Sequence, residues 1–548
     1  MTQKPLGRPF KGLATALAVA AALGLSSQLA SAQKGDSFST RNEVSAQVAT
    51  ILNSEGRLPM PVQIVRPALT KHYVENEGRL FWVGSPRMDQ LIERLSNAAR
   101  DGLFTRDYPI EYLTTLKDSL QAGEAFTEAY AELAFSAFFL KYASDLKIGR
   151  FVPRKIDPEL FVSRKKLDLV PVLAKLNTYP SLDAFFTDWE PQNSEYRTLR
   201  NALRQYQAIL AKGGWQPVDP GETLKPGMND PRVAQVRARL MASGDLTQSA
   251  GDPNLYDEGL EIAVRQFQTE HGLDSDGVVG KQSIFAMNVS AEERVRQIIV
   301  NLERWRWLPE DLGDRHILVN VASFELRRVE YGSLQEVIRV VVGKPGTRTP
   351  VFSNKIRYLE LNPTWTVPRS IATKEMLPKL QANPYYLGNN FELLQGGQSI
   401  PFGAVDWASV TRSNFAYTIR QRPGPKNALG RVKFMFPNKH AIYLHDTPSR
   451  SLFSRTTRAF SHGCIRVGRP LHLANQLLQA APGKWSLKKI QTVLDSAKIT
   501  RVNLPEPLPV HLTYSTVFRG LNGAINFRPD IYGRDKRLYR ALFAKHTP

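Results

Sequence analysis

The stretch AFSHGCIRV, residues 459–467, decides how this chain is read, together with HAIYLHD at 440–446. Both are short β-branched and aromatic runs, so they predict strands. The first holds the only cysteine of the chain, Cys464. His445 closes the second run, and 19 positions separate it from Cys464 (445 to 464). That spacing lets two strand ends joined by a loop bring thiol and imidazole together. His462 lies two residues before the thiol, and residues i and i+2 of a strand share a face, so it is a second candidate neighbour. Gly463 lets the backbone turn freely and lets its amide approach a developing oxyanion. A thiol is mostly protonated at neutral pH, and a nucleophilic one wants a base or cation beside it. A lone cysteine is also a common small core hydrophobe, so the neighbours decide between the two readings.

Working outward, HILVNVASFELRRVEYG, LQEVIRVVVGKPG and NKIRYLELNPTWTVP (from about 315) show the same β-rich character, which predicts a largely antiparallel sheet. Between 370 and 430 the pattern loosens into a segment rich in Asn, Gly and Gln, expected to be a lid inserted in that domain. RPLHLANQLL (469–478) starts a helix, and PVHLTYSTVFRGLNGAINFRPDIYG (509–533) reads as a hairpin around GLNG. Upstream, 33–220 repeats apolar positions at helical spacing, as in AFTEAYAELAFSAFFLKYASDLKIG (125–149), and carries no nucleophile, metal cluster or phosphate loop. A Pro/Gly-rich linker at 213–230 precedes a compact helical unit.

The fold class expected is multidomain α+β. The segments are a helical scaffold (33–220), a small three-helix unit (221–292), a helical connector (293–314), a β-rich domain (315–480) with the 370–430 lid, and a C-terminal extension packing on it (481–548). At 548 residues several domains are the natural expectation, and 42% apolar residues make the chain globular rather than disordered. Lys4, Arg8 and Lys11 precede the apolar run GLATALAVAAALGL (12–25), and Ala30-Ser31-Ala32 follows, which is the layout of a cleaved secretory signal over 1–32. The run is shorter than the ~20 residues of a spanning helix. The net charge is +21, or +18 without those three basic residues. In an exported protein that charge suits membrane headgroups or acidic wall peptides better than nucleic acid.

Two motifs resemble known families. AVRQFQTEHGLDSDGVVGKQSIFAMN (263–288) is similar to the small peptidoglycan-binding domain of wall enzymes, with Val264, Phe267 and Leu273 as its core and Asp276-Gly277 as its turn. HDTPSRSLFSRTTRAFSHGCIRV (445–467), with its H-x(15)-S-H-G-C-I-R pattern, resembles the active-site signature of the L,D-transpeptidases, the YkuD-type catalytic domain. VVVGKPGTRTPVFSNKIRYLELNPTWTVPRSI (340–371) matches its upstream strands, and the domain order is similar to that of large Gram-negative members. The resemblance implies that Cys464 is the nucleophile and His445 the general base, with the amides of Gly463 and Cys464 and the Tyr443 hydroxyl stabilising an oxyanion. It implies a peptidoglycan L,D-transpeptidase of the periplasm that forms 3→3 cross-links. The donor is a tetrapeptide stem, held as a cysteine thioester, and the acceptor is the amine of a neighbouring diaminopimelate. Acylation by carbapenems at Cys464 follows from the same resemblance, no cofactor is implied, and wall synthases and carboxypeptidases are the logical partners.

Other assignments stay open at this stage. His462 is an accessory group or only a loop hydrogen bonder, and Ser461 a supporting one. Arg466 is a clamp for a substrate carboxylate or a brace for its loop, and Trp365 lines a substrate groove or is a buried strand aromatic. No partner that orients His445 is identifiable, because Asp446 is adjacent and consecutive strand residues point apart. An L,D-carboxypeptidase or cross-link hydrolase of the same fold shares nucleophile and base. A non-catalytic wall-binding scaffold is the reading from another class, and the intact Cys464, His445 and Gly463 argue against it. No metal is expected, since H-E-x-x-H and paired cysteines are absent and His440 and His445 are a poor pair.

Overall fold

The structure, a computed structural model, describes residues 37–544 apart from 55–57, 59–61, 248–250, 480, 482 and 484. The signal expected over 1–32 lies outside the described residues.

The N-terminal region is helical, as its periodicity predicts. Its central helix, Ala125–Ile148, is apolar on nearly every face and is accordingly buried on nearly every face, with Phe135, Phe139, Tyr142 and Leu146 in the core. Glu132 sits inside this core, where its carboxylate accepts hydrogen bonds from the N–H groups of Phe81, Trp82 and Val83 and from the Tyr73 hydroxyl. Four donors satisfy a carboxylate that would otherwise be costly to bury.

The helix Ser194–Ala211 behaves differently from the rest of the 33–220 segment. Its Tyr196, Leu199 and Leu203 pack in the same core as Ile298 and Leu302 of the helix Ala291–Trp307 and Val319 of the sheet below. Amphipathic spacing reveals that a helix buries one face, but not against which partner. Arg306 ties the units together while fully buried: it pairs with Glu303, donates to the Tyr196 hydroxyl and reaches the Asp101 carbonyl.

The small unit has the helices Pro231–Ser243, Glu258–Glu270 and Lys281–Met287 around Val233, Leu240, Val264, Phe267 and Ile284, with Leu273 packed against them. Gly277 has φ +71° and its N–H donates to Gln268, so the turn needs the residue that tolerates that backbone.

The β-rich domain begins with β1 (Arg315–Asn320), β2 (Glu325–Glu330), β3 (Ser333–Gly343) and β4 (Phe352–Leu361). The inserted lid follows, with β5 (Trp365–Thr366), a helical run over 369–382, β6 (Phe391–Gln395), β7 (Gln398–Ile400) and β8 (Thr418–Gln421). The lid has its own sheet, ordered β5-β8-β6-β7, and its own core around Leu380, Leu393, Trp407, Phe415 and Ile419. The main sheet resumes with β9 (Val432–Met435), β10 (Leu444–His445), β11 (Ala459–Ser461), β12 (Ile465–Val467) and β13 (Thr500–Thr513), and β14 (Val517–Arg519) with β15 (Ile525–Phe527) forms the hairpin around GLNG.

The nine strands run β11-β3-β12-β10-β9-β4-β13-β1-β2, and β2 also pairs with β3, so the pairing closes on itself. The β1–β13, β10–β12 and β11–β3 pairs are parallel and the others antiparallel. The 481–548 segment therefore does more than pack on the domain. β13 lies inside the sheet between β4 and β1, with a register irregularity between Asn503 and Leu508. That irregularity takes up Pro505 and Pro507, which cannot donate to a ladder.

Two outcomes follow from the place of β13. A chain ending at residue 499 should lose the catalytic-domain transition in thermal unfolding, although the helical N-terminal core keeps its own. Leu512→Ala, at a fully buried site of this strand, should lower the stability of that domain by about 2–5 kcal/mol in denaturant unfolding.

Candidate active site

Alternation along β10 and β12 builds the site. Leu444 pairs with Ile465 and His445 with Arg466 in a parallel register, while β9 places Phe434 beside Leu444 and Lys433 beside His445. Leu444, Ile465 and Phe434 are fully buried in the core. Their neighbours face the other way, so Tyr443, His445, Cys464, Arg466 and Lys433 share the opposite face of the sheet. Tyr443 and His445 have ring centroids 5.6 Å apart, Lys433 Nζ lies 4.3 Å from the Tyr443 ring, and Lys433 pairs with Glu360 at 3.6 Å. The two candidates at 445 and 464 are thus brought to one patch by strand register.

The turn carrying the thiol is held by hydrogen bonds. Gly463 has φ +119°, and a Cβ there would sit 3.3 Å from Ile442 Cδ1, so the position suits only glycine. Ser461 Oγ accepts from the Gly463 N–H at 3.0 Å and donates to the Cys464 carbonyl at 2.5 Å. The Gly463 amide is therefore committed to Ser461, which corrects the expectation that it points at an oxyanion. The Tyr443 hydroxyl and the Tyr443 main-chain amide both hydrogen-bond the Cys464 sulfur. Thr349 Oγ1 donates to the Gly463 carbonyl at 2.8 Å, and Thr347 Oγ1 to the Ser461 carbonyl at 3.0 Å. Tyr532 from the C-terminal segment bonds the Gly343 carbonyl and the Thr349 amide, bracing the same loop. None of these three braces carried a chemical signature in sequence.

His445 is oriented by its neighbour after all, through the main chain. Nδ1 lies 2.5 Å from the Asp446 carbonyl, which can only accept, so Nδ1 carries the proton and Nε2 the lone pair. The Asp446 carboxylate faces elsewhere, accepting from the Arg431 and Thr447 amides and pairing with Arg450. Burial pushes the His445 imidazole down to about 3, helped by the Arg466 and Lys433 cations and resisted by the Asp446 and Leu429 carbonyls. Burial likewise raises the Cys464 thiol, against hydrogen bonding from Tyr443 and the pull of Lys433 and Arg466. Both shifts favour the neutral forms, thiol and imidazole. The half-buried Cys464 Sγ is 3.5 Å from the Ala441 carbonyl.

Arg466 is without a hydrogen-bond or ion-pair partner among the described residues, and its Nε is buried. An unpaired guanidinium on the same face as Cys464 has the geometry that pairs with carboxylates. His462 turns to the lid: its Nε2 is 2.6 Å from Glu375 Oε1. Trp365 is half-buried at the edge of the lid core. His440, five residues before His445, lies tilted against Phe161 with ring centroids 3.9 Å apart.

Three family matches divide the chain along similar lines. Residues 67–203 match a "Scaffold domain", 229–287 a "Putative peptidoglycan binding domain", and 314–492 the YkuD family, the L,D-transpeptidase catalytic domain. A curated relative from Haemophilus influenzae, named "Putative L,D-transpeptidase", is 38% identical over 252 residues, 45% of this chain and 50% of the relative. The chain thus spans about half the length of that relative. Among solved structures, an L,D-transpeptidase from Stackebrandtia nassauensis is 13% identical (TM-score 0.22, covering 54% of this chain and 97% of that one). One from Mycobacterium smegmatis is 12% identical (TM-score 0.18, 36% and 58%). Those two likenesses are too weak to bear on mechanism. The catalytic and peptidoglycan-binding domains are present in the chain, on a helical scaffold.

The shifts at Cys464 and His445 have a measurable signature. Iodoacetamide reacts with thiolate, and a raised thiol pKa means that alkylation of Cys464 should keep climbing above pH 8.5. A thiolate–imidazolium pair would instead hold a rate plateau down to acidic pH. Lys433→Met removes a cation that favours the thiolate and should displace the profile to still higher pH.

Proposed function

We propose that the protein is a periplasmic peptidoglycan L,D-transpeptidase working through a cysteine thioester. The observation that carries this reading is the shared face of Cys464 and His445, with the imidazole tautomer fixed so that Nε2 is the base. His445 Nε2 takes the thiol proton as sulfur attacks the carbonyl carbon between the third and fourth residues of a tetrapeptide stem. The Cys464 amide and Tyr443 hydroxyl stabilise the oxyanion. As the C–N bond breaks, His445 returns the proton to the departing D-alanine amine, leaving the acyl group on sulfur. The side-chain amine of a second stem then attacks the thioester, gives its proton to His445, and releases the thiolate, which is reprotonated. Peptide bond energy kept in the thioester makes the exchange independent of ATP.

The chemistry of the site supports each part. A neutral imidazole is already the base form throughout the neutral range, and the Lys433 and Arg466 cations favour the thiolate as it develops. Arg466 has a free guanidinium for a stem carboxylate. The lid that reaches the nucleophile's turn through Glu375 suits a reaction in which amine must outcompete water.

Disaccharide-tetrapeptides incubated with the protein should yield 3→3 dimers by muropeptide analysis. Cys464→Ala and His445→Gln should each lower the rate by more than about a thousandfold. Tripeptides without dimers would support the hydrolase reading instead. Carbapenem treatment should add one acyl mass to the wild type and none to Cys464→Ala by intact-mass spectrometry. Because His445 is held far below an ordinary imidazole, kcat/KM should not fall through pH 6.5 on acidification.

A further inference from the structure

A groove of about 860 Å³ lies away from the row of catalytic side chains, where three parts of the chain meet. One wall is the small three-helix unit, with Lys281 and Phe285; another is the C-terminal helix Arg534–Phe543, with Lys536 and Arg540. Thr456, from the segment that runs into the Cys464 turn, completes it. Thr456 Oγ1 donates to Asp274 of the small unit at 2.6 Å, so the groove is joined directly to the loop that carries the nucleophile.

Its charge is not self-compensated. Glu293 pairs with Arg296 and Asp535 with Arg304. Asp530 accepts hydrogen bonds from the Tyr514 hydroxyl and from main-chain amides of the C-terminal helix. Lys281, Lys536 and Arg540 are exposed and have no side-chain partner among the described residues. Phe285 is 78% exposed on the same wall, an aromatic face open to a ring or an apolar stem residue. His271 also lines the groove while only 7% exposed, and its Nε2 has no hydrogen-bond partner.

We infer that this junction groove binds a carboxylate-bearing peptide stem of a peptidoglycan strand, with Lys281, Lys536 and Arg540 meeting its carboxylates. This rests on the wall polymer being the substrate. It also gives a local destination to part of the basic charge that the catalytic row does not use. Through the Thr456–Asp274 hydrogen bond the groove's wall is tied to the segment that leads to Cys464.

Binding is tested without turnover, on the full chain carrying Cys464→Ala. Cosedimentation with purified sacculi is compared with glycan strands stripped of their stems and with anionic lipid vesicles. The parent should prefer stem-bearing sacculi, and raised salt should weaken it. The combined Lys281→Glu, Lys536→Glu and Arg540→Glu chain should bind them about tenfold more weakly, and Phe285→Ala should also weaken binding. If charge reversal disturbs folding, judged by far-UV circular dichroism, the same three positions changed to Ala serve as the test. Unchanged sacculus affinity in the triple variant overturns the inference. So does equal binding of stripped strands, or a loss confined to the vesicles. Dimer formation by the wild type is scored separately, so failure of the groove and failure of the transpeptidase reading are distinguishable.

Discussion

The site depends on the parallel pairing of β10 with β12, because that register alone sets which side chains face the core. Leu444, Ile465 and Phe434 anchor one face in the interior, and this forces Cys464, His445, Arg466 and Lys433 onto the other. A one-residue slip of β12 would turn Arg466 into the core and Ile465 out of it. Core packing is therefore what aligns the chemistry. The closed order of the sheet strengthens the constraint: β12 is held between β10 and β3, and β9 links the pair to β4 and β13.

The electrostatics of that face are a compromise between two demands. Burial favours the neutral form of both thiol and imidazole. Lys433 and Arg466 push the other way for the sulfur, lowering the cost of the thiolate as it forms. The same cations disfavour the imidazolium form of His445. The lid touches the same turn, since Glu375 reaches His462 two residues from Cys464.

Much of this was legible in the sequence, for a physical reason. Cys464 and His445 stood out because their chemistry and spacing are rare, and the small three-helix unit because its core and turn are short-range features. The lid was visible as a break in β pattern. What escaped was set by long-range packing. The first half of β13 was hidden because Pro505 and Pro507 argue against a central strand, and a register irregularity in the pair with β4 falls across them, whereas Pro509 pairs in register with Lys355. The orienting group of His445 escaped because it is the carbonyl of Asp446, and main-chain acceptors have no residue signature. The commitment of the Gly463 amide to Ser461 follows from turn geometry that φ +119° imposes. Lys433 was overlooked because its relevance comes from lying opposite His445 on a neighbouring strand.

The most direct test is to catch the acyl group on sulfur. The protein is mixed with a tetrapeptide donor whose diaminopimelate amine is blocked, quenched in acid, and digested for peptide mass mapping. The account predicts one adduct, the tripeptide-bearing acyl group on the fragment containing Cys464, cleaved by hydroxylamine as a thioester is. Release of D-alanine with no adduct on that fragment, or an adduct on another residue, would contradict it.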